Sequence, residues 1–212
     1  MQNVKNKIIV FLVLVIVVLS ILLIVTNTAQ TRGSGGGSNT NANAGLIDWL
    51  QSGTYRFDFT IEAKNGAADS VAGILSSSNG DFAVTQKSGG LTTTIILKEG
   101  KSYVLDAASM TVFASDANGT DPTGGLFVNY QGMIKQQEGE SVLNNKTVPY
   151  IEYKLADSSQ IVRFYLVDSQ VVAMEQQVGG ASVVLHITNA TPDVPQNVFT
   201  VPSGYRPPKE LD

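Results

Sequence analysis

From Ile8 to Val25 every residue is apolar except Ser20, and no other feature constrains the chain as strongly. In a helix, at about 1.5 Å per residue, such a run reaches across most of a hydrocarbon layer roughly 30 Å thick. Lys5 and Lys7 precede it and Arg32 follows at a distance, so the positive-inside bias puts residues 1–7 in the cytoplasm. A cleaved signal peptide would carry a shorter apolar stretch, about 7–15 residues, ending in a small-x-small site. A cut after Ala29 would have Asn27 where a small residue is wanted. The expectation is an uncleaved, single-pass signal-anchor helix over 8–26, in a cell membrane, with the carboxy-terminal part extracytoplasmic. The chain has no cysteine, which excludes a lipidated amino-terminal cysteine and any disulfide framework. That combination suits a bacterial cell envelope.

The stretch 27–45 is small and polar, and "TRGSGGGSNTNANAG" is rich in Gly, Ser and Asn. It buries too little apolar surface to fold and reads as a flexible linker, residues 31–45 reaching on the order of 20 Å. Residues 46–212 are long enough for one domain with its own core. All 18 acidic residues and 11 of the 14 Lys and Arg fall there, a net charge of −7. Nucleic acid is bound by clustered Lys and Arg, so it is not an expected partner. The domain as a whole is not drawn onto anionic lipid either.

This domain reads mostly as strands. In "TYRFDFTIEA" (54–63) Tyr55, Phe57, Phe59 and Ile61 alternate with Arg56, Asp58, Thr60 and Glu62, the pattern of a half-buried antiparallel strand. Short runs follow at "DSVAGILS", "GDFAVTQK", "LTTTIILK", "KSYVLD" and "MTVFAS". After a break come "VPYIEYKLA", "QIVRFYLVD", "QVVAMEQQV" and "ASVVLHITN". Turn residues stand between them at Asn79-Gly80, Gly89-Gly90, Glu99-Gly100, Asp168-Ser169 and Gly179-Gly180. Roughly ten strands joined by tight turns make an antiparallel meander.

Two segments interrupt it. "GLIDWLQS" (45–52) is a short helix candidate with Leu46, Ile47, Trp49 and Leu50 apolar. "DPTGGLFVNYQGMIKQQEGE" (121–140) sets Leu126, Tyr130, Met133, Ile134 and Gln137 at helical spacing and is expected to be a second. Helices on one face of one long sheet give an α+β domain. Several strands, among them "TTIILK" and "QIVRFYLVD", are apolar on both faces. Either protein covers both sides or one side lines an apolar cavity.

No constellation for catalysis stands out. His186 is the single histidine and reads as a strand residue. With one His and no Cys, a zinc site of nitrogen and sulfur ligands cannot be assembled. Gly-x-Ser-x-Gly and Ser-x-x-Lys do not occur, and the glycines sit in turns or in the linker. "SDANGTDPTGG" (115–125) clusters oxygen ligands, but its glycine and its twelfth position do not fit a calcium loop, so no metal or cofactor is expected.

Three stretches carry a resemblance. "LKEGKSYVLDAASMTVFASD" (97–116) is similar to a hairpin of periplasmic lipoprotein-carrier domains. "YIEYKLADSSQIVRFYLVDSQVVAMEQQVGGASVVLHITN" (150–189) resembles their carboxy-terminal meander, and "VPQNVFTVPSGYRPP" (194–208) their closing motif. Together they resemble the LolA, LolB, LppX and LprG group over most of residues 54–206. The resemblance implies an unclosed, strongly curved antiparallel half-barrel, helices partly covering its mouth, and lipid or acyl chains carried in the concave face. Unlike the soluble carriers, this chain keeps an apolar amino-terminal run, and "NGDFAVTQKSGGLTT" lacks the Arg-Pro turn that ties down the carrier's lid. In the closing motif, Phe199 and Val201 would be the inward pair of a last strand, Pro202 and Gly204 a turn, and Tyr205 a plug.

The expected function is non-catalytic binding of a lipid or other hydrophobic ligand, as a carrier or sensor held at the membrane. The candidate cavity liners are Tyr55, Phe57, Phe59, Ile61, Ile95, Leu97, Tyr103, Leu105, Phe164, Leu166, Val183 and Leu185, with Tyr130, Met133 and Ile134 as a lid. The rival is a structural or interaction domain whose core is filled by its own side chains and which engages an envelope protein.

Overall fold

Alternation beginning at Tyr55 is carried through in a computed structural model that describes residues 45–61, 71–116, 129–156, 160–178 and 181–207. The anchor at 8–26 and nearly all of the linker lie outside these residues. Among the described residues no helix is long and apolar enough to cross a membrane.

Eleven strands form one antiparallel sheet. They are β1 (Tyr55–Ile61), β2 (Val71–Ser78), β3 (Asp81–Ser88), β4 (Leu91–Lys98), β5 (Lys101–Asp106), β6 (Thr111–Asp116), β7 (Ile134–Leu143), β8 (Lys146–Lys154), β9 (Ile161–Val167), β10 (Gln170–Val178) and β11 (Ala181–Thr191). Their order is β6-β5-β4-β3-β2-β1-β11-β10-β9-β8-β7. Every neighbour is also the next strand in sequence except at one seam, where β1 pairs with β11 (Phe59 opposite Ile187, Thr60 opposite His186). The sheet curves without closing, so β6 and β7 remain edges.

The hairpins follow from turn chemistry. Asn79-Gly80, Gly89-Gly90, Glu99-Gly100, Asn144-Asn145 and Asp168-Ser169 all hold positive φ at both central residues. That is the backbone twist which lets two-residue loops match right-twisted strands. Asn144-Asn145 creates the largest departure from expectation. Instead of a helix, residues 134–143 form strand β7, paired with β8 from Ile134–Lys154 to Leu143–Lys146. Gly132 sits at φ +68°, which a right-handed helix cannot contain. The asparagine turn then hands the segment to β8, and pairing overrides the helical spacing of its apolar residues. Residues 121–128 of the expected helix, and most of the polar 115–125 loop, lie outside the described residues.

The helix at the start does form: α1 (Leu46–Ser52) ends at Gly53 in the left-handed region, φ +77°, the usual glycine stop. Leu46 and Leu50 are fully buried against the sheet's inner face, the face carrying Tyr55, Phe57, Phe59 and Ile61. Fully burying such side chains contributes about 1.5–3 kcal/mol each.

The closing motif also differs from expectation. Gln196–Phe199 is a 3-10 turn, not a strand, and Phe199 is buried on the outer face with Ala83, Ile96 and Leu105. Gly204, at φ +102°, turns the chain there. Tyr205 packs on the same outer cluster, and Arg206 pairs in parallel with Thr111 at the β6 edge.

Candidate functional site

The inner face is a wall of cross-strand ladders. One runs Phe57, Leu75, Val84, Ile95, Val104 and Phe113 across six strands. Beyond the seam another runs Leu185, Met174, Phe164 and Ile151. Apolar pairs on adjacent strands stand about 5 Å apart, so each ladder buries continuous surface. Phe57, Phe59, Phe164, Met174 and Leu185 are at most 1 % exposed.

Among the described residues, two pieces outside the sheet cover this wall. One is α1. The other is the turn around Tyr130–Met133, held by Gln131 N donating to Asn129 Oδ1 (3.0 Å) and Met133 N donating to Tyr130 O (3.3 Å). They clasp one another: Gln51 Nε2 donates to Met133 O (3.4 Å) and Gln131 Nε2 to Ser52 O (3.3 Å). The Gln131 amide packs where a Cβ on Gly53 would stand, and the φ of +77° there is what requires glycine. Among the described residues the cover meets the sheet through apolar contact and side-chain bonds. Ser77 Oγ donates to Gly53 O (3.1 Å), and Tyr130 OH donates to Gln176 Oε1 (3.3 Å) inside the core.

Burial decides the electrostatics of the inner face. Tyr130 stands edge-on to Tyr55, centroids 6.1 Å apart. Desolvation pushes both phenols well above their ordinary pKa, Tyr130 further because Tyr55 lies beside it. Gln176 (1 % exposed) and Gln86 (8 %) are the large polar side chains set among these apolar ladders. The charged network sits outside instead. Arg163 Nη2 meets Glu152 Oε2 at 2.9 Å and Nη1 meets Glu175 Oε2 at 3.7 Å, with the guanidinium 4.4 Å above the Tyr150 ring. Glu175 also accepts from Tyr165 and Ser182.

The residues selected from the sequence divide between the faces. Tyr55, Phe57, Phe59, Ile61, Ile95, Phe164, Val183 and Leu185 come together in the inner cluster with Tyr130 and Met133. Leu97 and Leu166 are half-buried, on the inner side by alternation with Ile95 and Phe164. Tyr103 and Leu105 point the other way, into the outer cluster under Phe199. Ile134 is 61 % exposed at the start of β7 and forms no part of the cover. Sequence reasoning missed Val162, Met174, Ile187 and the Gln176 partner of Tyr130. The two-residue period continued from Phe164 and Leu185 would have found Val162 and Ile187; Met174 lies on β10, where a register shift between Val171 and Ala173 breaks the alternation.

Neither a known family pattern nor a curated protein matches the sequence. Solved structures do. LprF from Mycobacterium bovis is similar at TM-score 0.40 and 10 % identity, covering 77 % of this chain and 99 % of that one. The Mycobacterium tuberculosis lipoprotein LppX is similar at TM-score 0.38 and 9 % identity, covering 70 % and 92 %. A chain of the Pseudomonas aeruginosa MucA/MucB complex follows at TM-score 0.33 and 10 % identity, with 69 % and 54 % covered. LppX is a member of the group that the sequence motifs resemble. Likenesses this loose carry nothing about ligand or partner, and the reading below rests on the chain's own side chains.

Proposed function

We propose that residues 46–212 form an extracytoplasmic domain, tethered to a cell membrane by the 8–26 helix, which binds a lipid or other hydrophobic ligand against the inner face. The domain makes and breaks no covalent bond. One observation carries this reading: an apolar wall spanning both sides of the seam is closed by two short segments clasped to each other. Displacing that cover would expose several large apolar side chains at once. An acyl chain offers the same apolar surface in exchange, worth about 25 cal/mol per Å² buried.

The rival reading is an interaction domain with a self-filled core. It is favoured by the near-complete burial of the inner wall by the chain itself. Native mass spectrometry separates the two, applied to the domain after release from the membrane through a protease site engineered into the linker. Added mass that solvent extraction resolves into phospholipid, acylglycerol or fatty acid supports ligand binding. A clean mass that stays clean after incubation with lipid vesicles overturns it in favour of the filled core.

A further inference from the structure

Exposed large apolar side chains stand at both ends of the sheet, Val142 and Val167 at one and Leu91, Met110 and Ile134 at the other, and of these Leu91 and Met110 share a corner with exposed cations. At the end where β3, β5 and β10 finish, Leu91 (57 % exposed) at the start of β4 stands near Met110 (44 %) in the β5–β6 turn. Ala107 N donates to Thr92 O (3.3 Å), tying the β5–β6 turn to the start of β4. A third segment joins them: Arg206 N donates to Met110 O (3.1 Å), Val112 N donates to Arg206 O (2.9 Å), and the Met110 side chain lies against Gly204. The corner so formed carries two exposed cations, Lys87 and Arg206. Among the described residues of this corner the acid is Asp106, which is tied into its own loop, accepting from Ala108 N (2.9 Å) and Ser109 Oγ (2.6 Å). At the opposite end the same strands present Asp81, Lys98, Glu99, Lys101 and Asp116, a mixed-charge rim.

We infer that this corner, made of residues 87–91, 107–110 and 204–207, docks on an anionic bilayer surface. Leu91 and Met110 enter the head-group layer and Lys87 and Arg206 pair with lipid phosphates. Apolar knobs ringed by cations are what an interfacial contact requires. The domain's net charge of −7 repels such a surface elsewhere, so attraction confined to one corner fixes orientation as well as contact. Two side chains anchor weakly alone, but a tether of this length keeps the domain at high effective concentration beside the bilayer. Docking of this corner does not depend on a ligand in the inner face.

The chain contains no cysteine, so single reporters can be placed cleanly. Full-length protein with Leu91→Cys, Met110→Cys or Val142→Cys, the last an exposed site at the opposite end, carries an environment-sensitive fluorophore and is incorporated into liposomes containing a lipid-borne quencher. The expected result is several-fold stronger quenching at 91 and 110 than at 142, present with phosphatidylglycerol and lost in phosphatidylcholine alone. It should also be lost, reporting from Ala108→Cys, when Lys87 and Arg206 become Glu. Equal quenching at all three sites, stronger quenching at 142, or insensitivity to lipid charge and to K87E/R206E overturns the proposal. Flotation of the liposomes separately reports whether the chain is anchored, and unchanged thermal midpoints show that the exposed substitutions leave the fold intact.

Discussion

Each face of the sheet is covered over part of its area by a short piece of chain, and the two coverings are held in different ways. On the outer face, residues 194–206 lay Phe199 over β3–β5 and end in two backbone bonds, one to Met110 in the β5–β6 turn and one to Val112 on β6. On the inner face, the backbone bonds of α1 and the Tyr130–Met133 turn are internal, such as Trp49 N to Gly45 O and Met133 N to Tyr130 O. Among the described residues the inner cover meets the strands through apolar burial and side-chain bonds such as Ser77 Oγ to Gly53 O and Tyr130 OH to Gln176 Oε1. A ladder bond fixes register and direction, whereas apolar contact is non-directional and can be replaced by any apolar surface of similar area. The outer strap is therefore built into the scaffold, and the proposed function makes the inner cover the exchangeable element.

The strongest challenge to that contrast is Phe199→Ala. It should lower unfolding free energy by about 3–5 kcal/mol, measured by chemical denaturation, while leaving ligand mass per folded molecule unchanged. Met133→Ala, in the inner cover, should cost about 2–5 kcal/mol in the ligand-free protein and change ligand occupancy in native mass spectra. A loss of stability with unaltered occupancy would make the inner cover ordinary core.

Alkaline titration probes the inner cover through its phenols. Tyr55 and Tyr130 have pKa values raised by burial, so their contribution is intact below the ordinary phenol value of 10.0. It falls as pH rises beyond that, by about 1.4 kcal/mol per pH unit for each phenol. Fluorescence of Trp49, on α1, should report release above about pH 10; a signal flat to global unfolding would count against a separable cover. The smallest effect is expected at acid pH. The Ser109 hydroxyl lowers the pKa of Asp106, so its contribution is present above the ordinary carboxylate value of 3.8 and lost as pH drops below it. Loosening should be confined to the β5–β6 turn and the Arg206 contact, visible as faster amide exchange at Val112.

How much of this was legible in the sequence depends on what sits on each side of a strand. β1 faces apolar core on one side and a polar surface on the other, so its alternation revealed the strand and its inward residues Tyr55, Phe57, Phe59 and Ile61. β4 and β5 are covered on both faces, by the inner wall and by the Phe199 strap. Alternation then vanishes as a signal, and Tyr103 and Leu105 were placed on the wrong side. β7 was hidden for the opposite reason: seven of its ten residues in a row are exposed, so no apolar period marks it, and pairing through Asn144-Asn145 makes it a strand. The cover combines segments about 80 positions apart, Gln51 with Met133. No local pattern announces that contact.

The β1–β11 seam has a consequence for how the chain comes into being. All other pairings join strands adjacent in sequence, so β1–β6 and β7–β11 can each zip up locally, which favours speed. Only the seam needs the first strand to wait for the last. A chain emerging amino terminus first therefore carries a folded six-stranded wing whose β1 edge, bearing Phe57 and Phe59, stays open until β11 arrives. That interval is when unpaired strand edges recruit the wrong partner. The protein is most vulnerable to misassembly before its carboxy terminus has been delivered.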